Sequence, residues 1–106
     1  MEILSGDINL GNILEGSSAT VIDIIANWCA PCKVVGAILE EVEKQYAGKV
    51  KFVKVDVSDD VPEFVKNLNI KAVPTLLFYK GDVLCARESG LKTKDQIIEL
   101  INKTQN

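Results

Sequence analysis

The stretch ANWCAPCKVV, residues 26–35, separates two segments whose hydrophobic patterns differ in period. Before it, residues 19–26 form a nearly continuous, β-branched apolar run, which predicts a strand buried on both faces. After it, apolar residues recur at helical spacing at Val35, Ile38, Leu39, Val42 and Tyr46. Gly48 then stops this helix. A buried strand that leads into a helix predicts the first half of a crossover unit in an α/β sheet.

The other segments continue the alternation of strands and helices. Strands are predicted at residues 1–4, 50–56, 75–80 and 83–88, and the last two are joined by a turn at 81–82. Helices are predicted at residues 9–15, 61–68 (with proline in the first turn) and 94–103. The predicted fold class is therefore α/β, in the order β1α1β2α2β3α3β4β5α4. Its central mixed β-sheet combines parallel strands with an antiparallel edge and is flanked by helices.

Length and composition restrict the class of protein. The chain has 106 residues, which predicts a single domain over residues 1–106, and 47% hydrophobic with 25% charged residues is typical of a globular protein. The net charge of −3 comes without a basic stripe, so no nucleic-acid partner is expected. No apolar run is long enough to span a membrane, and the first residues lack a signal-peptide pattern. We therefore expect a cytoplasmic protein without a membrane partner.

Cys29 and Cys32 could hold a metal, staple the fold or act as a redox couple. A zinc site needs four ligands, and the chain has three cysteines and no histidine. A purely structural disulfide closing so short a loop would contribute only about 2 kcal/mol. The odd number of cysteines also fits a reducing compartment. No metal and no bound cofactor are expected.

The redox interpretation explains where the two cysteines stand. At the start of a helix, unpaired N–H groups and the positive end of the dipole stabilise a thiolate, so the pKa of Cys29 should be depressed. Cys32 lies one helical turn further on the same face, where it can attack a mixed disulfide. Pro31 is tolerated in the first turn. The pattern favours an attacking and a resolving sulfur.

Asp23 and Lys54 each allow a structural and a functional interpretation. Asp23 is either a strand-end aspartate with access to solvent or a buried carboxyl that serves as base for Cys32. Lys54 is either an exposed lysine or a charge partner of Asp23. Trp28, beside cysteines that we expect to be exposed, predicts a partly exposed contact surface. Base rates favour a trans bond before Pro74.

These motifs together resemble the thioredoxin family over nearly the whole chain. The matching residues, in family order, are Asp23, Trp28-Cys29-Ala30-Pro31-Cys32-Lys33, Lys54, Asp56, Val73-Pro74-Thr75, Lys80-Gly81 and Gly90. The resemblance implies the thioredoxin fold and a protein disulfide reductase that works by dithiol–disulfide exchange, in electron transport and cell redox homeostasis. It implies no bound cofactor beyond a reversible Cys29–Cys32 disulfide.

The resemblance also implies roles for individual residues. Its catalytic set comprises Cys29 as nucleophile, Cys32 as resolving thiol, Asp23 as buried proton-transfer residue, Lys54 beside it, and Pro74 as a cis-proline facing the cysteines. Its substrate-binding surface comprises Trp28, Ala30, Pro31, Val73 and Gly90. The implied partners are thioredoxin reductase and disulfide-containing target proteins, and a monomer is expected.

The chain departs from the family pattern at a few positions. Ala30 replaces the usual glycine between the cysteines, Ala37 replaces the usual proline within the helix, Ile24-Ile25 replaces an aromatic pair, and Cys85 is not a motif position. Two alternatives to the reductase are a related oxidase or isomerase and a binding module without turnover. The oxidase usually carries a histidine between its cysteines, and a binding module needs no proton relay.

Overall fold

A computed structural model describes all residues, 1–106, as five strands and four helices. The elements are β1 (Glu2–Ser5), α1 (Leu10–Leu14), β2 (Ala19–Ile25), α2 (Ala30–Gln45), β3 (Lys51–Asp56), α3 (Glu63–Asn67), β4 (Thr75–Lys80), β5 (Val83–Ser89) and α4 (Lys94–Gln105). The strands form one sheet in the order β1-β3-β2-β4-β5, in which the first three are parallel and β4 and β5 run antiparallel to their neighbours. The predicted α/β class, element order and mixed sheet are confirmed.

Strand β2 lies at the centre of the sheet and is covered on both faces, as its continuous apolar run predicts. Alternate side chains of a strand point to opposite faces. On one face, Ala19 and Val21 belong to the core cluster that includes residues of α2 and α4. On the other face, Ile22 and Ile24 pack with residues of α1 and α3. The carboxyl end of β2 leads directly to the cysteine pair.

Several predicted boundaries are wrong by a residue or two, for local reasons. Pro62 is the N-cap of α3 rather than part of its first turn, because its ψ of 150° is not helical. Only its carbonyl takes part in the helix, where it accepts the backbone N–H groups of Val65 and Lys66. Strand β3 begins at Lys51 rather than Val50, because the Val50 N–H donates to the Tyr46 carbonyl in the turn after α2. Strand β1 ends at Ser5, one residue later than predicted.

Helices α2 and α4 cover the same face of the sheet. Helix α4 begins with a capping box, in which Thr93 and Gln96 each accept from the other's backbone N–H. It continues to Gln105, beyond the predicted end at residue 103. Helix α2 is the longest, with 16 residues. No helix combines the length and the apolar character needed to cross a lipid bilayer.

Candidate active site

The cysteine pair occupies the N-terminus of α2. Cys29 is the N-cap, with an extended backbone (φ −93°, ψ 107°), and its Sγ accepts the backbone N–H of Cys32 at 3.1 Å. The two cysteines form a disulfide, with Cα atoms 5.3 Å apart. Pro31 lies in the first turn, as predicted. The N–H group and the positive end of the helix dipole would stabilise a thiolate on Cys29 once the disulfide is reduced.

Both cysteines are more buried than the sequence predicts. Cys29 is 4% exposed and Cys32 5%, so the expectation of exposed cysteines is wrong. They pack with Ala26 and with the partly buried Ile25 and Val73, which fill the space around the disulfide. Trp28, in contrast, is 74% exposed, as expected of a contact surface. A target disulfide must therefore approach the small accessible part of Cys29 closely.

Two segments distant in the chain complete the surroundings of the disulfide. The Val73 carbonyl oxygen lies 3.7 Å from Cys29 Sγ, and the Val73–Pro74 peptide bond is cis. The cis bond agrees with the family resemblance and overturns the base-rate expectation. Gly90 donates its N–H to the Pro74 carbonyl at 2.9 Å, and its φ of +86° is one that glycine adopts without strain. The structure thus places Val73 against Cys29 and joins Gly90 to Pro74, the residue after Val73.

Asp23 lies in the middle of β2 and has no exposed surface. The interpretation of a buried carboxyl is therefore correct, and that of a strand-end aspartate is wrong. Neither carboxylate oxygen has a hydrogen-bond partner in the protein. Burial raises the pKa of Asp23 from 3.8 to about 7, while the positive charge of Lys54 lowers it. The carboxyl can therefore bind or release a proton near neutral pH.

Lys54 is the residue of β3 that pairs in register with Asp23. Its side chain is 15% exposed, and its Nζ lies 3.9 Å from Glu40 Oε1 on α2. Lys54 alternates with Val53 and Val55, which pack on the opposite face of the sheet, so it points to the face that α2 covers. The interpretation of Lys54 as an exposed lysine is wrong, and the predicted charge interaction with Asp23 is present.

An apolar groove lies beside Trp28 and was not predicted from the sequence. Its volume is about 380 Å³, and its lining consists of Ile24, Trp28, Val57, Val61, Val65, Ile70, Lys71, Ala72 and Val73. Trp28 and Val61 are the large apolar residues of this lining that are exposed, at 74% and 42%. The sequence predicts Val61 as the first residue of the helix over 61–68, whereas the structure places it before the Pro62 N-cap of α3. Its position between the two aspartates and Pro62 is the local signal that it lies at the surface.

The remaining predicted substrate-binding residues are at the surface, and no metal site accompanies them. Ala30 and Pro31 are exposed at the start of α2. No group of three or more histidine, cysteine, aspartate or glutamate side chains could hold a metal ion. Cys85 is a free, exposed cysteine on β5. Cys29 and Cys32 form the disulfide of the site, and Cys85 is not part of it.

Comparison with known proteins decides the family. Residues 7–103 match the family model described as Thioredoxin. This chain belongs to the thioredoxin family. It is 37% identical over 92 residues to Thioredoxin C-2 of Corynebacterium nephridii, and this match covers 87% of this chain and 84% of that protein. It is 36% identical over 91 residues to Thioredoxin 1 of Nostoc sp., which covers 86% and 84% of the two chains.

Solved structures of thioredoxins share the fold. A crystal structure of chloroplastic thioredoxin z has a TM-score of 0.82 and 30% identity, and the match covers 98% of this chain and 93% of that one. Reduced Schistosoma mansoni thioredoxin has a TM-score of 0.82 and 29% identity, with 97% and 96% covered. The predicted thioredoxin fold is confirmed. The chain is a thiol-disulfide oxidoreductase with protein disulfide reductase function, and Cys29–Cys32 is its redox-active pair.

Proposed function

We propose that this member of the thioredoxin family reduces target proteins with Cys29 as the attacking thiol and Cys32 as the resolving thiol. The observation that carries this assignment is the position of Cys29 Sγ, which accepts the Cys32 N–H at the N-terminus of α2. That environment favours negative charge on Cys29. Cys32 lies within the first turn of the helix. Of the two sulfurs, Cys29 is thus the one better stabilised as a nucleophilic thiolate.

Two exchange steps carry two electrons to the target. The Cys29 thiolate attacks one sulfur of the target disulfide; a Cys29–target bond forms, the target S–S bond breaks, and a target thiolate leaves. The Cys32 thiol then transfers its proton to the Asp23 carboxylate and attacks Cys29 Sγ. The Cys29–Cys32 bond forms as the mixed disulfide breaks and the second target thiolate leaves. One target thiolate receives the proton held by Asp23 and the other receives a proton from solvent, so both end as thiols. The pKa of Asp23, which burial raises to about 7, suits this proton transfer.

The same proposal covers the surroundings of the reaction. Lys54 tunes the charge of Asp23, and Pro74 faces the cysteine pair. Trp28, Ala30, Pro31, Val73 and Gly90 form the surface on which extended target segments dock. Thioredoxin reductase returns the disulfide to the dithiol, with no bound cofactor in the chain itself. The protein acts in the cytoplasm as a monomeric single domain over residues 1–106, in electron transport and redox homeostasis, without nucleic-acid or membrane partners.

The experiment is the reduction of insulin disulfides by dithiothreitol, followed as turbidity. The wild type should accelerate the reaction and Cys29→Ala should not. Cys85→Ser is the matched control, because it removes a cysteine that lies exposed on β5 away from the motif, and it should keep the wild-type rate. Absence of catalysis by the wild type would contradict the reductase function.

A trapping experiment tests the roles of the two sulfurs. Cys32→Ser lacks the resolving thiol, so it should accumulate mixed disulfides with insulin chains, visible on a non-reducing gel. Cys29→Ser should form none. The opposite pattern would reverse the assignment of attacking and resolving thiols.

A further inference from the structure

A row of side-chain positions runs along α2 from the active site. Cys32, Gly36 and Glu40 are each four residues apart, and this spacing places them above one another on one face of the helix. Cys32 and Gly36 are buried, whereas Glu40 is exposed. Between the sulfur at one end and the carboxylate at the other, this row carries no side chain, because its middle residue is Gly36.

The Lys54 side chain lies in this gap. A Cβ atom at Gly36 would lie 3.0 Å from Lys54 Nζ and 3.5 Å from Lys54 Cε, and no other atom would be as near. A contact of 3.0 Å between a methyl carbon and the ammonium is too close, so a side chain at residue 36 would displace the end of the lysine. The absence of a side chain at Gly36 therefore lets the Lys54 ammonium lie a few tenths of an ångström closer to the helix than a residue with a Cβ would allow.

The location of this ammonium matters for the site. Lys54 pairs in register with Asp23 on β2, and its Nζ is 3.9 Å from Glu40 Oε1 on α2. On the other side of Asp23, β4 presents the apolar Leu76. Lys54 is thus the cation that lowers the pKa of the Asp23 carboxyl. Glu40 is a second carboxylate that forms an ion pair with the same ammonium.

We propose that Gly36 is a positioning residue for the redox reaction. Because Gly36 has no side chain, the Lys54 ammonium lies close to α2, where its charge acts on both Asp23 and Glu40. The inference rests on the proposed role of Asp23 in proton transfer. Glycine inside a helix is less favourable than alanine. The space that the Lys54 side chain occupies is a physical reason for glycine at position 36.

The test is the titration of the Asp23 carboxyl, by carbon NMR of the oxidised protein, in the wild type and Gly36→Ala. The added methyl should push the ammonium away from Asp23 and raise the pKa of that carboxyl. For a charge at roughly the interstrand spacing of about 5 Å, a retreat of a few tenths of an ångström corresponds to about 0.1 to 0.2 pH unit at an effective dielectric near 20. Alanine favours the helix, so the variant should fold. An unchanged titration would overturn the inference.

A double-mutant cycle separates an effect through Lys54 from a general change in packing. In a Lys54→Met background the ammonium is gone, so adding Gly36→Ala should leave the Asp23 titration unchanged. An equal shift in both backgrounds would show that Gly36 does not act through Lys54, and would also overturn the inference. Ala37→Ser is the matched control, because it adds one atom to an exposed position of the same helix. It should leave the Asp23 titration where it is.

The pH profile of resolution distinguishes this inference from the proposed function. In Gly36→Ala, the pH midpoint for decay of the mixed disulfide should move upward together with the Asp23 titration. If the Asp23 titration shifts but the pH midpoint of mixed-disulfide decay does not, Gly36 does position Lys54, and the role of Asp23 in proton transfer is contradicted. A titration that does not move would contradict the Gly36 inference whatever the activity shows.

Discussion

Replacing Asp23 by asparagine should stabilise the protein, and the gain should increase with pH. Burial raises the pKa of Asp23 from 3.8 to about 7, so between these values the folded chain holds a proton that the unfolded chain has released. Raising the pH through this window therefore removes stability from the wild type. Below pH 3.8 both states are protonated and the penalty is absent; above about 7 it is complete. Asparagine is nearly isosteric and does not titrate.

The size of the effect follows from proton linkage. With the two pKa values above, the penalty on the wild type is about 2 kcal/mol at pH 5 and about 4 kcal/mol at pH 7 and above. The asparagine amide is itself a buried polar group, and its burial costs free energy by an amount that does not depend on pH. The growth of the difference with pH, rather than its absolute value, is therefore the measurement that reports on Asp23.

The assay is guanidinium unfolding of the oxidised wild type and Asp23→Asn, followed by far-ultraviolet circular dichroism from pH 4 to pH 9. The difference in unfolding free energy should grow by about 2 to 3 kcal/mol between pH 5 and pH 8. Asp59→Asn, at an exposed position between β3 and α3, should stay within about 0.5 kcal/mol of the wild type throughout. A difference for Asp23→Asn that grows by less than about 1 kcal/mol would refute a strongly raised pKa.

Two further predictions concern packing and docking. Leu39→Ala removes a fully buried side chain where α2 meets the sheet, and it should lower the unfolding free energy by about 3 kcal/mol in the same assay; Val34→Ala, at a 54% exposed position of α2, should change it by less than about 0.5 kcal/mol. Comparable losses for both variants would contradict the packing of α2. Trp28→Ala removes an exposed ring, so the KM for insulin should rise about tenfold while the melting temperature stays close to the wild-type value. An unchanged KM would show that Trp28 is not part of the docking surface.

The order of strands and helices could be predicted because it depends on local patterns. The apolar run of β2 spans 7 residues and the helical spacing of α2 lies within 16 residues, so each pattern is local. The cysteines lie at the boundary between the two elements. The errors were confined to element ends, such as Pro62 and Val50, where one hydrogen bond decides the boundary. Sequence motifs in family order also identified Cys29 and Cys32, because the site lies at a strand-to-helix junction.

The surroundings of the reacting groups depend on segments that are distant in the chain. The pattern around Asp23 allows either a buried or a solvated carboxyl, and the pattern around Lys54 allows either an exposed lysine or a charge partner of Asp23. Their burial follows from the pairing of β2 with β3 beneath α2, which no local pattern encodes. The burial of the cysteines likewise results from packing against Val73, 44 residues along the chain from Cys29.

The sequence by itself therefore determined the elements, their order and the chemical groups that react. The tertiary structure decided how those groups are solvated and charged: that Asp23 has no access to water, that Lys54 lies against the side-chain gap at Gly36, and that an apolar groove opens beside Trp28. The physical reason is one of range. Helix and strand periodicity act between residues a few positions apart, whereas desolvation and Coulomb interactions depend on every group that folding brings near, whatever its place in the chain.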